Sequence, residues 1–370
     1  MNKDSNDLSI ISIKTYVYKI PTDSPESDGT IKWNETTLVL VVISAHNQTG
    51  IGFSYGHEAM SLVIQNSFAP LLKNGNPMDI PLLWEKMVAA SRNIGSRGIA
   101  ANAIAAVDIA LWDLKAKILR VPLCTLWGQA RESIPIYGSG GFTSYTDKQL
   151  TQQFEDWKKK GIKKFKMKIG RDPDKDVQRV EHARKVIGPS NELFVDANGA
   201  YTCKQALEFA QRFKEFDVSW FEEPVIADDL NGLHLMRNRA PAGMNIAAGE
   251  YSYEIFYFRR MLEAGAVDVL QADATRCCGF TGFFQACQLS RAFNIPLSSH
   301  TAPSLHVHPC VTELPVCHLE YFYDHARIEH LFFEGCPVLK NGALYPHLDR
   351  FGHGLELKEK ASKKYLVREV

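Results

Sequence analysis

Two kinds of periodicity divide this chain. Residues 10–20 and 37–44 are rich in β-branched and aromatic side chains and read as strands. The Pro/Ser/Asp/Gly-rich stretch 21–29 between them is expected to be a mobile loop. Residues 102–119 (NAIAAVDIALWDLKAKIL) place Ile104, Val107, Leu111, Leu114 and Ile118 three and four apart, the spacing of an amphipathic helix with one packed face. The opening third is therefore expected to be an α+β unit. From about Ile134 the pattern changes to short β-type runs alternating with helical stretches. The runs are 134–141, 163–170, 192–199, 218–224, 244–250, 266–273, 295–300 and 315–322. Eight such runs, separated by connections long enough for crossover helices, fit a closed (β/α) barrel better than an open doubly wound sheet. The residues after 330 are left over and are expected to return to the first unit. The domain reading is 1–133, 134–330 and 331–370.

The chain has 370 residues, more than one domain of ordinary size. At 45% hydrophobic and 23% charged residues it is ordinary globular protein, which excludes collagen-like, coiled-coil and mainly disordered classes. Lys+Arg and Asp+Glu both number 42, so there is no basic footprint for nucleic acid or an anionic membrane, and neither is expected as a partner. The start, 1–9, is polar, and the longest aliphatic run, 38–43, is strand-sized, so no targeting signal or membrane span is expected. Eight Cys without a CxxC pair read as reduced thiols, and the expected location is cytoplasmic.

In a barrel, catalytic groups lie at the C-terminal ends of the strands. Here those ends carry Lys166 and Lys168, Asp196 with Asn198, Glu222, Glu250, Asp273, His300 and Glu320. Three consecutive strands ending in carboxylates repel one another unless a cation holds them, and oxygen-only ligands favour Mg²⁺, with Mn²⁺ as the alternative. Lys166 and Lys168 share the inward face of the second strand, whereas Asp273 and His300 end neighbouring strands and can hydrogen-bond. A substrate held at the metal meets an amine on one side and an imidazole on the other. Glu222 and Glu223 are expected to face opposite sides of their strand, and spacing does not choose between them.

Each motif taken singly has a plainer reading. The lysines resemble a solvated strand edge, Asp196 to Gly199 a turn, Glu222-Glu223-Pro224 a strand end, Glu250 the start of a loop and Asp273 a helix cap. His300 alone would be a structural histidine and Glu320 a buried ion-pair partner. His300, His306 and His308 invite a zinc reading, but no Cys or acid nearby completes a ligand set. Cys277-Cys278 lacks the spacing of a redox pair, and Gly138-Ser139-Gly140-Gly141 lacks the third spaced glycine of a dinucleotide fingerprint.

Taken together, Lys166-Met167-Lys168, Asp196-Ala197-Asn198, Trp220-Phe221-Glu222-Glu223-Pro224, Ala248-Gly249-Glu250, Gln271-Ala272-Asp273, Ser298-Ser299-His300 and His318-Leu319-Glu320 resemble the enolase superfamily, and within it the mandelate racemase-like subgroup. The resemblance implies an α/β fold: a modified TIM barrel, (β/α)₇β, with an α+β N-terminal capping domain completed by the C-terminal segment. It implies Mg²⁺ on Asp196, Glu222 and Glu250, choosing Glu222 over Glu223, and a homo-oligomer. It implies Lys168 as base, its pKa lowered by Lys166, with the metal stabilising an ene-diolate and Glu320, if protonated, donating to the substrate carboxylate. Asp273 with His300 on the next strand argues against the two-lysine arrangement of muconate cycloisomerase-like members. Many relatives carry a Gly-Gly pair after the sixth strand where this chain has Arg276-Cys277-Cys278-Gly279, a departure that bears on substrate identity more than on the chemistry.

His300 decides between two outcomes. Protonating carbon gives a racemase or epimerase of a 2-hydroxy acid; protonating a departing β-hydroxyl gives a dehydratase. The polar stretch 22–33, ending at Trp33, and the segment 52–59, with Tyr55 and His57, suit a polyhydroxylated substrate, as does Asn198 beside the metal. Dehydration of an aldonate or aldarate to a 2-keto-3-deoxy acid is the expected reaction, with racemisation as the runner-up. A non-catalytic relative is the reading from another class, and it does not account for metal ligands and both proton-transfer walls together.

Overall fold

The strand runs of the opening third build an antiparallel sheet. β1 (Ile10–Ser27), β2 (Lys32–Ala45) and β3 (Gln48–Tyr55) pair in chain order, and a C-terminal strand, Leu366–Glu369, adds to the free edge of β1. The computed structural model describes residues 8–370, so most of the polar stretch 1–9 lies outside the described residues.

The stretch 21–29 is not a mobile loop. β1 runs through it to Ser27 and, after an irregularity beyond Pro21, pairs again at Glu26 with Trp33 and at Ser27 with Lys32. The cause is tertiary. Glu26, Ser27 and Asp28 are buried, Ser27 Oγ lies 2.6 Å from Thr143 Oγ1, and Arg171 Nε donates to the Asp28 carbonyl oxygen at 3.1 Å. The barrel thus holds a hairpin whose polar composition would leave it loose in isolation. At its tip a Cβ on Gly29 would come within 2.3 Å of the Ala197 carbonyl oxygen, so only glycine permits this approach.

The expected helix spans Ile99–Leu119. It is buried all round from Ala100 to Leu111 rather than along one face, because it is clamped between the cap sheet and the barrel helix Gly279–Ala292. Asp108 makes the joint: it accepts hydrogen bonds from Thr281 N at 3.0 Å and Thr281 Oγ1 at 2.7 Å. Gly279, at φ +92°, leaves room for that carboxylate, since a Cβ there would sit 2.2 Å from Asp108 Oδ2.

All eight β-type runs are strands: β4 (Ile134–Gly140), β5 (Lys164–Lys168), β6 (Glu192–Asp196), β7 (Val218–Glu222), β8 (Asn245–Ala248), β9 (Val269–Ala272), β10 (Leu297–Ser299) and β11 (Val316–Phe322). Each pairs in parallel with the next, and β11 pairs with β4 to close the barrel. Period-two alternation sends Phe194 and Trp220 inward, where they meet Tyr137 and the His318 ring in an aromatic floor. Thr146 and Thr202 start two of the outer helices with reciprocal bonds to Gln149 and Gln205. The segment 331–370 divides: Val338–Lys340 and Ala343–Tyr345 form a hairpin on the edge of β4, while Leu366–Glu369 joins the cap sheet. No helix among the described residues is long and apolar enough to cross a membrane.

Burial pushes the Asp108 carboxyl up to about 7 against the pull of its Thr281 and Phe280 donors. The folded state then keeps a proton that the unfolded chain releases near pH 4. Stability is accordingly lost as pH rises from about 4 through 7, by at most about 1.4 kcal/mol per unit. Asp108→Asn removes that titration, so urea midpoints measured at about pH 4.5 and about pH 7.5 are expected to differ less than in the wild type. An unchanged difference would show that Asp108 is ionised in the fold.

Candidate active site

Residues in matched register on neighbouring parallel strands point the same way, and Lys168, Asp196 and Glu222 form such a row across β5, β6 and β7. Glu250 follows β8 by two residues. One carboxylate oxygen from each of Asp196, Glu222 and Glu250 lies within 4.8 Å of the others, and all three residues are buried. Burial, and after it the charge of Asp196, pushes Glu222 up to about 8 despite Lys166. Glu250 Oε2 is buried without an aligned hydrogen bond, although His300 Nε2 is 3.1 Å away. Three crowded carboxylates, an orphaned oxygen and no soft donor fit a hard divalent cation.

Lys166 and Lys168 supply compensating charge. Lys166 Nζ bonds to Glu222 Oε1, lies 2.8 Å from Glu320 Oε1 and 3.3 Å from Asp196 Oδ2, and sits over the Tyr137 ring. Lys168 Nζ is 2.5 Å from Asp196 Oδ2. Lys166 does act to lower the pKa of Lys168, as expected, but the net shift is upward. Burial and Lys166 both act downward, but Asp196, with Glu222 and Glu250, outweighs them and holds Lys168 above an ordinary lysine. Glu320 also shifts against expectation. Burial favours its neutral form, but Lys166 and then His300 hold it down to about 2, which disfavours the proton-donor role expected of it.

On the opposite wall His300 Nδ1 lies 2.8 Å from Asp273 Oδ2. Asp273 is itself fixed, its Oδ1 accepting from Thr275 N and Thr275 Oγ1, both at 2.7 Å. Burial works against a charged imidazole, yet Glu250 foremost, with Glu320 and Asp273, raises His300 to about 9. Asp273 thus fixes the orientation of an imidazole whose surroundings favour its protonated form.

Residues 149–361 match the model of the enolase C-terminal domain-like family, and residues 12–128 that of the mandelate racemase/muconate lactonizing enzyme N-terminal domain. The chain belongs to the mandelate racemase/muconate lactonizing enzyme family of the enolase superfamily. A 3,6-anhydro-α-L-galactonate cycloisomerase of Streptomyces coelicolor is 31% identical over 353 residues, covering 93% of this chain and 96% of the relative. An L-talarate/galactarate dehydratase of Salmonella typhimurium is 29% identical over 364 residues, covering 95% and 89%. Among solved structures, a mandelate racemase/muconate lactonizing enzyme-like protein from Rubrobacter xylanophilus superposes with a TM-score of 0.95 at 44% identity, covering 97% of this chain and all of that one. A racemase from Streptomyces coelicolor A3(2) with bound magnesium gives 0.91 at 30% identity, covering 97% and 100%. The buried cluster of Asp196, Glu222 and Glu250 is typical of a magnesium site such as that relative's.

The cap faces the barrel mouth. Between them lies a cavity of about 240 Å³ whose walls include Trp33, Tyr55, Asp273, Arg276, Thr301 and His325. A second, of about 380 Å³, is lined by Asn198, Glu223 and Tyr251. Arg276 and Tyr251 stand between the two, guanidinium over ring at 4.9 Å. A larger cavity of about 530 Å³, lined by Tyr145, Trp157 and Arg327 among others, holds none of the ionisable strand-end groups.

The expected substrate contacts fare unequally. Trp33 lines the first cavity, its indole N–H donating to Glu26 Oε2 at 2.9 Å. Tyr55 lines it with its ring, stacked on His325 at 3.4 Å between centroids, while its hydroxyl turns to Glu329. His57 lines neither cavity: it is exposed, and its Nδ1 accepts from Ala59 N at the start of the next helix. Asn198 lines the second cavity, its backbone left-handed at φ +47° and its Oδ1 buried without a partner. Glu223 is not the outward neighbour of Glu222. It leaves the strand at φ +36°, is buried, and is pushed well up by burial and then by Glu250.

The zinc reading fails, because His306 Nε2 accepts from Ala274 N at 2.8 Å and His308 Nε2 donates to the His353 carbonyl oxygen at 3.0 Å. Cys278 takes a left-handed conformation (φ +63°), one that glycine adopts without strain; Trp84 Nε1 holds its carbonyl oxygen at 2.8 Å, and burial pushes its thiol up to about 12. Arg276, Thr301 and His325 are site residues that strand-end spacing did not find. Arg276 and Thr301 stand within three residues of Asp273 and His300, where a wider window would have caught them. His325 lies in the helix Tyr323–Phe332, and no spacing signal marks it.

Magnesium is expected to stabilise the protein as well as activate it. At a hundredfold excess over Kd, binding to the folded state alone adds about 2.7 kcal/mol, so Tm should rise with Mg²⁺ and fall back with EDTA. Asp196→Asn and Glu250→Gln should each abolish the rise. A Tm indifferent to magnesium in the wild type would contradict the site.

Proposed function

We propose that the protein is a Mg²⁺-dependent lyase that eliminates the β-oxygen of a sugar acid, most simply as an aldonate or aldarate dehydratase forming a 2-keto-3-deoxy acid. The observation that carries this is the pair of proton-transfer groups on opposite walls of the triad. Lys168 stands on one side, and the Asp273-oriented imidazole of His300 on the other. Polar residues of the cap lie above them.

Bound magnesium supplies positive charge for the oxyanion that develops on the substrate carboxyl. Asp196, Glu222 and Glu250 hold Lys168 protonated, and a cation on those carboxylates would cancel that pull; as its free amine Lys168 then removes the α-proton, and Lys166, anchored by Glu222 and Glu320, gives an N–H to the carboxylate. The C–O bond at the β-carbon then breaks, its electron pair leaves with oxygen, and His300 protonates that oxygen. The enol left behind becomes the 2-keto acid. In an open-chain sugar acid the oxygen leaves as water. In a 3,6-anhydro acid the same β-oxygen belongs to a ring, which opens by the same step. The cycloisomerase and dehydratase relatives both support this one half-reaction. The runner-up, racemisation, differs only in that His300 protonates carbon.

The test is incubation with Mg²⁺ and a library of aldonates and aldarates, with 2-keto acids read as semicarbazones by ultraviolet absorbance. Turnover abolished by EDTA is expected, with a loss of about 10²- to 10⁴-fold in Lys168→Ala and His300→Asn. Exchange of the α-proton in D₂O without keto-acid formation would put racemisation in its place.

A further inference from the structure

The cavity beneath the cap reaches from Asp273 to Glu35 and Thr37 of β2, and its far end differs in charge from its near end. Among the described residues lining it, Arg276 is the only fixed cation. Arg276 is committed to the near end: its Nη1 lies 3.2 Å from Glu250 Oε1, and its Nε 3.7 Å from Asp273 Oδ2. At the far end stand Trp33, Thr36, Thr37 and Glu35, an acid that is half exposed and 3.8 Å from Lys19 on the outer surface. The remaining wall is His325. Its ring is clamped on Tyr55, and its Nδ1 accepts the Ala302 amide at 3.4 Å. That bond places the ring hydrogen on Nε2, which has no protein partner among the described residues. Burial, with His300 and Arg276 nearby, also holds His325 well below the usual histidine range despite Asp273. The far end therefore offers a neutral N–H and a carboxylate, and its one nearby cation, Lys19, is already engaged by that carboxylate.

We infer that this cavity takes the uncharged, hydroxyl-bearing end of a sugar monocarboxylate, with His325 Nε2–H donating to a hydroxyl oxygen, and that it discriminates against dicarboxylates. This deepens the dehydratase reading and rests on it. The physical ground is asymmetric. A hydroxyl satisfies both the imidazole donor and the Glu35 acceptor, whereas a second carboxylate would be drawn out of water to compete with Glu35 for Lys19, with no cation of its own.

The experiment compares galactonate with galactarate, which differ only at the distal end, on the Mg²⁺-loaded protein, by turnover and by titration calorimetry. Galactonate is expected to be preferred at least about tenfold in kcat/KM or in Kd. His325→Phe keeps a ring against Tyr55 but loses the donor. It is expected to raise KM about three- to tenfold with kcat little changed, and His325→Gln, which restores an N–H, to recover part of the loss. Glu35→Arg changes an exposed residue and so does not threaten the fold; by adding the missing cation it should move the preference toward galactarate. Equal or better handling of galactarate by the wild type overturns the inference, as does a KM indifferent to His325→Phe or binding of neither acid. If both acids bind but neither is turned over, the dehydratase reading falls, while the calorimetric preference still decides this one.

Discussion

Asp196, Glu222 and Glu250 repel one another inside a buried site, and the surrounding structure is arranged to contain that repulsion. Lys166 touches two of the three and Glu320 besides; Lys168 takes Asp196; Arg276 and His300 take Glu250. The compensation is incomplete, because Glu222 remains pushed up to about 8. A divalent cation completes it. Carboxylates gathered this closely cost stability unless they hold an ion, so the site is a place where folding gives way to function.

The barrel makes this concentration of charge tolerable. Strand register sets Lys168, Asp196 and Glu222 side by side, and the aromatic floor of Tyr137, Phe194 and Trp220 keeps water from below. Trp220 is part of both layers, packing in the floor while its indole N–H donates to Glu222 Oε2 at 2.9 Å. The same two-residue alternation that fills the barrel also aims its ligands. The proton-transfer wall depends on neighbouring strands in the same way, since Asp273 and His300 meet only because β9 and β10 are adjacent.

The cap performs a different task. It contributes no charge to the triad, but it closes the far end of the substrate cavity and fixes it to the barrel. Asp108 docks the long cap helix on the helix after β9, and the buried hairpin tip rests on Thr143 and Arg171. The ionisable strand-end groups thus belong to the barrel, and the cavity beside them to the contact between the two units.

The sequence alone marked the eight strands and the series of ionisable strand-end residues, from the two lysines through Asp196 and Glu250 to Asp273 and His300, while the choice of Glu222 over Glu223 came from the family resemblance. These features are local or repeat at the spacing of a βα unit, and side-chain direction along a strand follows from a period of two. Tertiary structure alone decided the rest. Glu320 is drawn toward its ionised form because Lys166 reaches it over the strand between them, β4, and Glu223 turns inward at a left-handed backbone position. The stretch 21–29 is a strand because the barrel packs on it. His325 meets Tyr55, and Tyr55 meets Glu329, across most of the chain's length. Such contacts arise where two separately patterned units dock, and hydrophobic periodicity within either unit carries no record of which faces will meet.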